Sequence, residues 1–182
     1  MIQRPDPGRD LANSLPGYAS GVQIREYRAA DWTQIWPIFQ EIVATGETYA
    51  YDPAWLPEKA REVWVEPAPG HTVVVHDGPT LLGTAKMGPN RPGRGSHVAT
   101  ASFMVARDAR GRGIGRTLSE YALRWATDQG YAAMQFNAVV ESNCAAVGLY
   151  LALGFHIVGT VPAAFEHPAL GRVGLHVMHR LL

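Results

Sequence analysis

The sequence predicts an α/β (α+β) layer fold with a mixed central sheet. Three observations predict it. Short strand-like runs such as "HTVVVHD" and "AAMQFNAVV" recur between segments whose apolar residues fall at helical spacing. The order of these runs reads β-α-α-β-β-β-α-β-α-β-β, which mixes hairpin-joined strands with strands separated by a helix. Gly/Pro turn signals such as Asp77-Gly78-Pro79 and "GPNRPGRGSH" (88–97) separate several of the runs.

Residues 1–20 are rich in Pro, Gly and polar groups and are expected to form a loosely held lead-in, with residues 21–182 as a single domain. "VQIREY" (22–27) alternates like a strand. In 29–46, Asp31 is offered as a helix N-cap, and Ile35, Ile38, Phe39, Ile42 and Val43 share one helical face. Pro37 lies inside that pattern and predicts a kink or a late helix start. A second helix is expected over 56–66, with Pro57 at its first position.

Strands at 71–77 and 80–88 flank Asp77-Gly78-Pro79 and read as a hairpin. A Gly/Pro-rich loop (88–97) leads into the apolar strand "VATASFMVA" (98–106). Ile114, Leu118, Tyr121, Ala122 and Trp125 then fall at helical spacing, and Gly130 closes that helix. A strand at 132–140 and a helix from Asn143 to Leu153 follow, and "FHIVGTV" and "RVGLHVMHRLL" close the sheet around a loop at 162–171.

Lys+Arg and Asp+Glu each number 16, so the formal net charge is zero. That balance argues against a dedicated nucleic-acid or membrane-surface binder, whose affinity rests on a basic face. No apolar run approaches the ~18 residues of a bilayer span. The N-terminal stretch lacks an apolar signal-peptide centre, and the single cysteine fits a reducing, cytoplasmic setting.

The chemistry concentrates in "RDARGRGIGRTL" (107–118), placed between a strand and a helix. Glycine lets an anion approach consecutive backbone N–H groups with no Cβ in the way, and the helix that follows adds the positive end of its dipole. Arginines add charge and forked donors. The stretch therefore reads as a diphosphate cradle. It is neither a P-loop, since no Gly-x-x-x-x-Gly-Lys-Ser/Thr run exists, nor a dinucleotide fingerprint. Gly111 and Gly113 lead to Arg116, Gly113 and Gly115 to Leu118, and no acidic residue stands about 20 positions on.

Arg110, Gly113 and Gly115 match the Arg/Gln-x-x-Gly-x-Gly/Ala loop of the GNAT superfamily of acetyl-CoA-dependent N-acetyltransferases, and the chain resembles that family. A second element of the family, Asn-x-x-Ala-x-x-Leu-Tyr-x-x-x-Gly-Phe, is matched by Asn143, Ala146, Leu149, Tyr150, Gly154 and Phe155. The resemblance covers 98–160 by its motifs and 22–182 by element order, and it implies a GNAT-like fold: a mixed, mostly antiparallel central β-sheet flanked by about four helices. "GSHVATASFMV" and "MQFNAVV" are similar to the branch that acetylates small amino-acid-like compounds, including phosphinothricin and azetidine-carboxylate acetyltransferases; part of that branch has Asn where this chain has Thr100.

The resemblance implies roles. Acetyl-CoA would be the co-substrate, with no metal. The backbone of Met104 and Val105 would pair with its pantetheine arm. Arg110, Gly111, Arg112, Gly113, Ile114, Gly115 and Arg116 would hold the diphosphate, and Asn143 would hydrogen-bond the arm. Tyr150 would be the general acid for the departing thiolate. Either Glu47, in "GETYAYD", or Glu141, just past a strand end, could take the amine proton. His97, Thr100 and Asn137 are polar residues set in apolar strands and are candidate acceptor contacts. Cys144 reads as a small buried filler. His176 and His179 point to opposite faces of a strand, which makes a poor metal pair.

The acceptor would be the amine of a small molecule. A protein N-terminus or lysine is the alternative within the same chemistry, and a non-catalytic acyl-CoA-binding module is the alternative outside it. A homodimer is an expectation of the resemblance alone.

Overall fold

A computed structural model describes residues 22–182; the expected lead-in at 1–20 lies outside the described residues. Eleven long elements follow the predicted order. They are β1 (Val22–Glu26), α1 (Trp32–Thr45), α2 (Pro57–Trp64), β2 (His71–Asp77), β3 (Thr80–Pro89) and β4 (Val98–Val105). Then come α3 (Ile114–Asp128), β5 (Ala133–Val140), α4 (Cys144–Ala152), β6 (His156–His167) and β7 (Gly171–Leu181).

The strands form one seven-stranded sheet in the order β1-β2-β3-β4-β5-β7-β6. Every neighbouring pair is antiparallel except β4 and β5. That parallel pair is held at only two positions, Val98 opposite Ala133 and Ala99 opposite Met134. Beyond them no ladder joins the two strands, and the sheet opens into a cleft.

Strand alternation places one apolar set on each face of the sheet. Val74, Leu81 and Met104 bury against Ile35, Phe39 and Ile42 of α1 and Trp64 of α2. Val73, Ala85, Ala99 and Phe136 bury against Leu118, Ala122 and Trp125 of α3. The five apolar α1 positions expected on one face are all buried, and Ile35 is fully so. Cutting such a residue back to alanine costs about 2–5 kcal/mol, so the α1 stripe is what fixes this helix to the sheet.

Pro37 neither breaks α1 nor delays it, because the helix runs unbroken from Trp32 to Thr45. Asp31 does not cap α1 with its side chain; it closes a one-turn 3-10 helix over Ala29–Asp31. Its carboxylate instead accepts both Arg25 guanidinium N–H groups at 2.7 Å and the Arg28 N–H at 2.7 Å. Much of the loop expected at 162–171 is strand. β6 runs to His167, with its pairing to β7 shifted between Val161 and Phe165 and Ala163 at φ 53°. Pro162 and the two alanines hide that strand from a periodicity reading, and the bulge lets β6 pass over them.

Candidate active site

Where β4 and β5 part, they open a cleft of about 800 Å³, within the range of small-molecule sites. Its floor is the free edge of β4 and the second half of β5. One end is the glycine-arginine turn, one wall is α4, and the other wall is the segment 47–51 after α1.

The turn is built as the glycines dictate. Gly111 (φ 75°) and Gly113 (φ 80°) hold left-handed backbone that other residues resist. Arg110 N–H and Arg112 N–H are used inside the turn, donating to the carbonyls of Arg107 and Ala109. The first N–H of α3 with a backbone acceptor is that of Thr117, on Gly113 O at 3.0 Å. Helix geometry therefore leaves the N–H groups of Gly113, Ile114, Gly115 and Arg116 without intrahelical acceptors. These four residues, with Arg110 and Gly111, line the cleft. A Cβ added at Gly113 meets nothing within 4 Å, so the space over those amides is open. An anion of diphosphate size fits there on charge and access alike.

Arg112 is in the turn but not in the cleft; its guanidinium lies 3.5 Å from Asp77. Met104 is also placed otherwise than expected. Ala106 N–H donates to Leu82 O on β3, and backbone groups alternate along a strand, so those of Met104 face β3. Its side chain is buried under α1. Val105 and Phe103 present their backbone to the cleft instead. At Phe103 that edge already has a partner: the Tyr49 hydroxyl donates to Phe103 O (2.8 Å) and accepts from Phe103 N–H (3.1 Å).

Asn143 lines the cleft and caps α4, its Oδ1 accepting from Ala146 N–H at 3.2 Å. Two turns on, Tyr150 stands against Phe136 (ring centroids 4.5 Å apart), with Phe103 and Phe155 within 6.2 Å. Burial among these rings pushes the Tyr150 phenol above the usual tyrosine range, so it stays protonated at neutral pH.

The two carboxylates separate. Glu47 lines the cleft. Glu141 does not, because its carboxylate accepts the Gly174 N–H and ties the end of β5 to β7. Among the acceptor candidates, Thr100 and Asn137 line the cleft. The Asn137 amide is already engaged at both ends, donating to Asn90 Oδ1 (2.6 Å) and accepting from Gln135 (2.8 Å). His97 lies outside the cleft, exposed before β4, its Nδ1 3.1 Å from Arg94 O. Cys144 is exposed at the first turn of α4, not buried, because α4 has no fully buried residue.

Two cleft residues escaped the sequence reading. Thr48 carries a buried hydroxyl with no hydrogen-bond partner, and Tyr49 spans 54 positions to reach Phe103. The alternating "ETYAY" was their only local signal. Among the described residues no group of three or more His, Cys, Asp or Glu could hold a metal ion, and no helix is long and apolar enough to cross a membrane.

A splayed parallel pair, an amide-lined turn at the head of a helix, and a phenol across the cleft define a protein built to receive a diphosphate-bearing acyl donor. Residues 17–155 match the acetyltransferase (GNAT) family, and the chain belongs to it. A solved GCN5-related N-acetyltransferase from Kribbella flavida is 55% identical, with a TM-score of 0.87 over 89% of this chain and 98% of that one. The L-methionine sulfoximine/L-methionine sulfone acetyltransferase of Pseudomonas aeruginosa is 30% identical, matching over 76% of this chain and 83% of its own length. N-acetyltransferase aca1 of Schizosaccharomyces pombe is 35% identical over 54% of this chain. The chain spans less than half the length of the two yeast relatives it matches, 47% of one and 13% of the other.

Proposed function

We propose that this protein moves an acetyl group from acetyl-CoA to the amine of a small, amino-acid-like acceptor, with residues 21–182 acting as one catalytic domain. The observation that carries the reading is a single cleft with the unpaired amides of Gly113–Arg116 at one end and the Tyr150 phenol on its wall. When bound, acetyl-CoA supplies an acyl carbon activated as a thioester. Arg110 and the four amides hold its diphosphate, and the cleft-facing edge of β4 at Val105 receives its arm as an added strand would be received. Asn143 keeps one amide donor for that arm while it caps α4.

The acceptor enters beside Glu47, Thr48 and Thr100. As the new C–N bond forms and the C–S bond breaks, Tyr150 gives its phenolic proton to the departing sulfur. The amine proton leaves to Glu47 or to water next to it. Glu47 is the better base of the two carboxylates because the other is bound to the backbone of Gly174. An amino-acid-like acceptor is supported by the Pseudomonas relative, whose named substrates are amino-acid sulfur derivatives. The neutral donors Thr48 and Thr100 would take its carboxylate.

β6 supports a homodimer. Among the described residues it is a sheet edge; it carries no charged residue from 157 to 165 and exposes Ile157, Val158 and Val161. The edge of the same strand in a second copy is its natural complement under two-fold symmetry.

A thiol-release assay with acetyl-CoA tests the reading against a panel of amino acids, amino-acid sulfones and peptides. Turnover on the amino-acid-like amines is the expected result. Turnover on peptides alone points to protein acetylation, and tight CoA binding with no turnover on any amine points to a binding module.

A further inference from the structure

We infer that Tyr49 sets the length of acyl group this site accepts, acting as a rigid stop at the end of the β4 edge; this rests on the acyl-CoA reading of the cleft.

The free edge of β4 offers backbone groups to the cleft at alternate residues only. Starting from the diphosphate turn, Val105 comes first and Phe103 second. A strand-like arm can use Val105. At Phe103 it meets the Tyr49 hydroxyl, which holds both the N–H and the carbonyl of that residue. The edge is closed there.

The ring that closes it is fixed on two sides. It stacks on Tyr51 (centroids 5.3 Å apart, 11° between planes) and meets Trp64 edge-on at 6.0 Å. Tyr51 in turn stacks on Phe39, a buried residue of α1. Moving Tyr49 therefore breaks two hydrogen bonds and disturbs a stack rooted in the core. Phe103, whose backbone Tyr49 clamps, also lies 6.2 Å from the Tyr150 ring. An acyl group held near Tyr150 therefore lies close to the one β4 residue whose backbone the Tyr49 hydroxyl covers. On this inference a two-carbon acyl group clears the Tyr49 ring and a four-carbon one presses on it.

The burial of Tyr49 is consistent with this arrangement. Its phenol is held well above the tyrosine range by desolvation first and by Tyr150 and Tyr51 second, so the hydroxyl keeps the proton it donates to Phe103.

The experiment compares acetyl-, propionyl- and butyryl-CoA in the wild type and in Tyr49→Ala, Tyr49→Leu and Tyr49→Phe. The Kd of each thioester is measured by calorimetry, kcat/KM by thiol release, and folding by thermal unfolding. The wild type is expected to favour acetyl over butyryl by about tenfold or more, the scale of discrimination by methylene count. Tyr49→Ala and Tyr49→Leu are expected to shift that ratio toward butyryl by about tenfold in both Kd and kcat/KM. Tyr49→Phe frees the Phe103 backbone but keeps the ring stacked on Tyr51, and is expected to shift the ratio less than either truncation. A wild type that binds butyryl-CoA as well as acetyl-CoA overturns the inference without any variant. So does an unchanged ratio in whichever truncated variant folds. A wild type that binds no CoA thioester overturns instead the acyl-CoA reading beneath it.

Discussion

The Tyr150 ring packs 4.5 Å from Phe136, centroid to centroid, at the point where β5 has already left β4. The phenol is thereby carried on a helix, braced by the core, and aimed into the open part of the sheet. Tyr150→Phe keeps that packing and removes only the proton donor. Turnover is expected to fall at least about tenfold, equivalent to about 1.4 kcal/mol in the barrier, while CoA affinity stays level in calorimetry. Because burial raises the phenol's pKa, the wild-type rate should show no loss of this acid between pH 6 and 10. An unchanged rate in Tyr150→Phe removes the residue from the mechanism.

Gly113→Asp separates binding from folding. The added side chain meets open space, so it causes no clash, but its backbone must hold φ 80°. That strain costs of order 1–3 kcal/mol, and a carboxylate at a helix N-terminus returns about 0.3–1 kcal/mol. The protein should therefore remain folded with a modestly lower Tm. CoA binding should be lost, because the carboxylate occupies the amides and repels the diphosphate. Retained affinity in calorimetry contradicts the assigned pose.

The order of elements was legible because each apolar stripe is local: Ile35 to Val43 identify the buried face of α1 with no knowledge of what covers it. The glycine-arginine turn was legible for the same reason, since its glycines and the start of α3 lie within ten residues. What crossed the sheet was not. Glu141 looks like any carboxylate past a strand until Gly174, 33 positions on, brings its N–H to it. Met104 and Val105 differ only in which side of β4 their backbone faces, and that parity is set by the pairing of Ala106 with Leu82. Asp31 carried a cap signal, but Arg25 competed for its carboxylate with two charged hydrogen bonds.

The two carboxylates can be told apart by paired substitutions. Glu141→Gln loses a charge-assisted bond between β5 and β7, and stability should fall by about 1–3 kcal/mol with kcat held within about threefold. Glu47→Gln should leave the Tm within about 1–2 °C and lower kcat or raise the acceptor KM by about tenfold, the low end of general-base effects. The reverse pattern would reassign the base to Glu141.

The Arg25–Asp31 pair predicts an acid limb in stability. The Arg25 guanidinium, bound through both N–H groups, holds the Asp31 carboxyl below the usual carboxylate range. A folded pKa below the unfolded value of about 3.9 means that the pair stabilises the protein above that pH, with the contribution lost as pH falls through the folded pKa. Asp31 is buried, while about a third of the Arg25 side chain is exposed (30%). Solvent screening therefore keeps the loss in Asp31→Asn to about 1–2 kcal/mol at pH 7. The Tm gap between wild type and Asp31→Asn should narrow from pH 5 to pH 3; a gap constant over that range removes the linkage.

The β6 edge predicts how copies of the chain meet. Val158 is 62% exposed and Val161 52%, on a strand whose outer backbone groups have no partner strand among the described residues. A lysine on such an edge is the usual means of blocking strand addition, because its charge cannot be desolvated between two backbones. Val158→Lys lies outside the cleft, so any change in acetyl transfer would come through assembly alone. Sedimentation at micromolar concentration should show the wild type as a dimer and Val158→Lys shifted toward monomer, with Kd weakened at least about tenfold, or about 1.4 kcal/mol. A wild type that sediments as a monomer, or a Val158→Lys dimer of undiminished affinity, moves the interface off this strand.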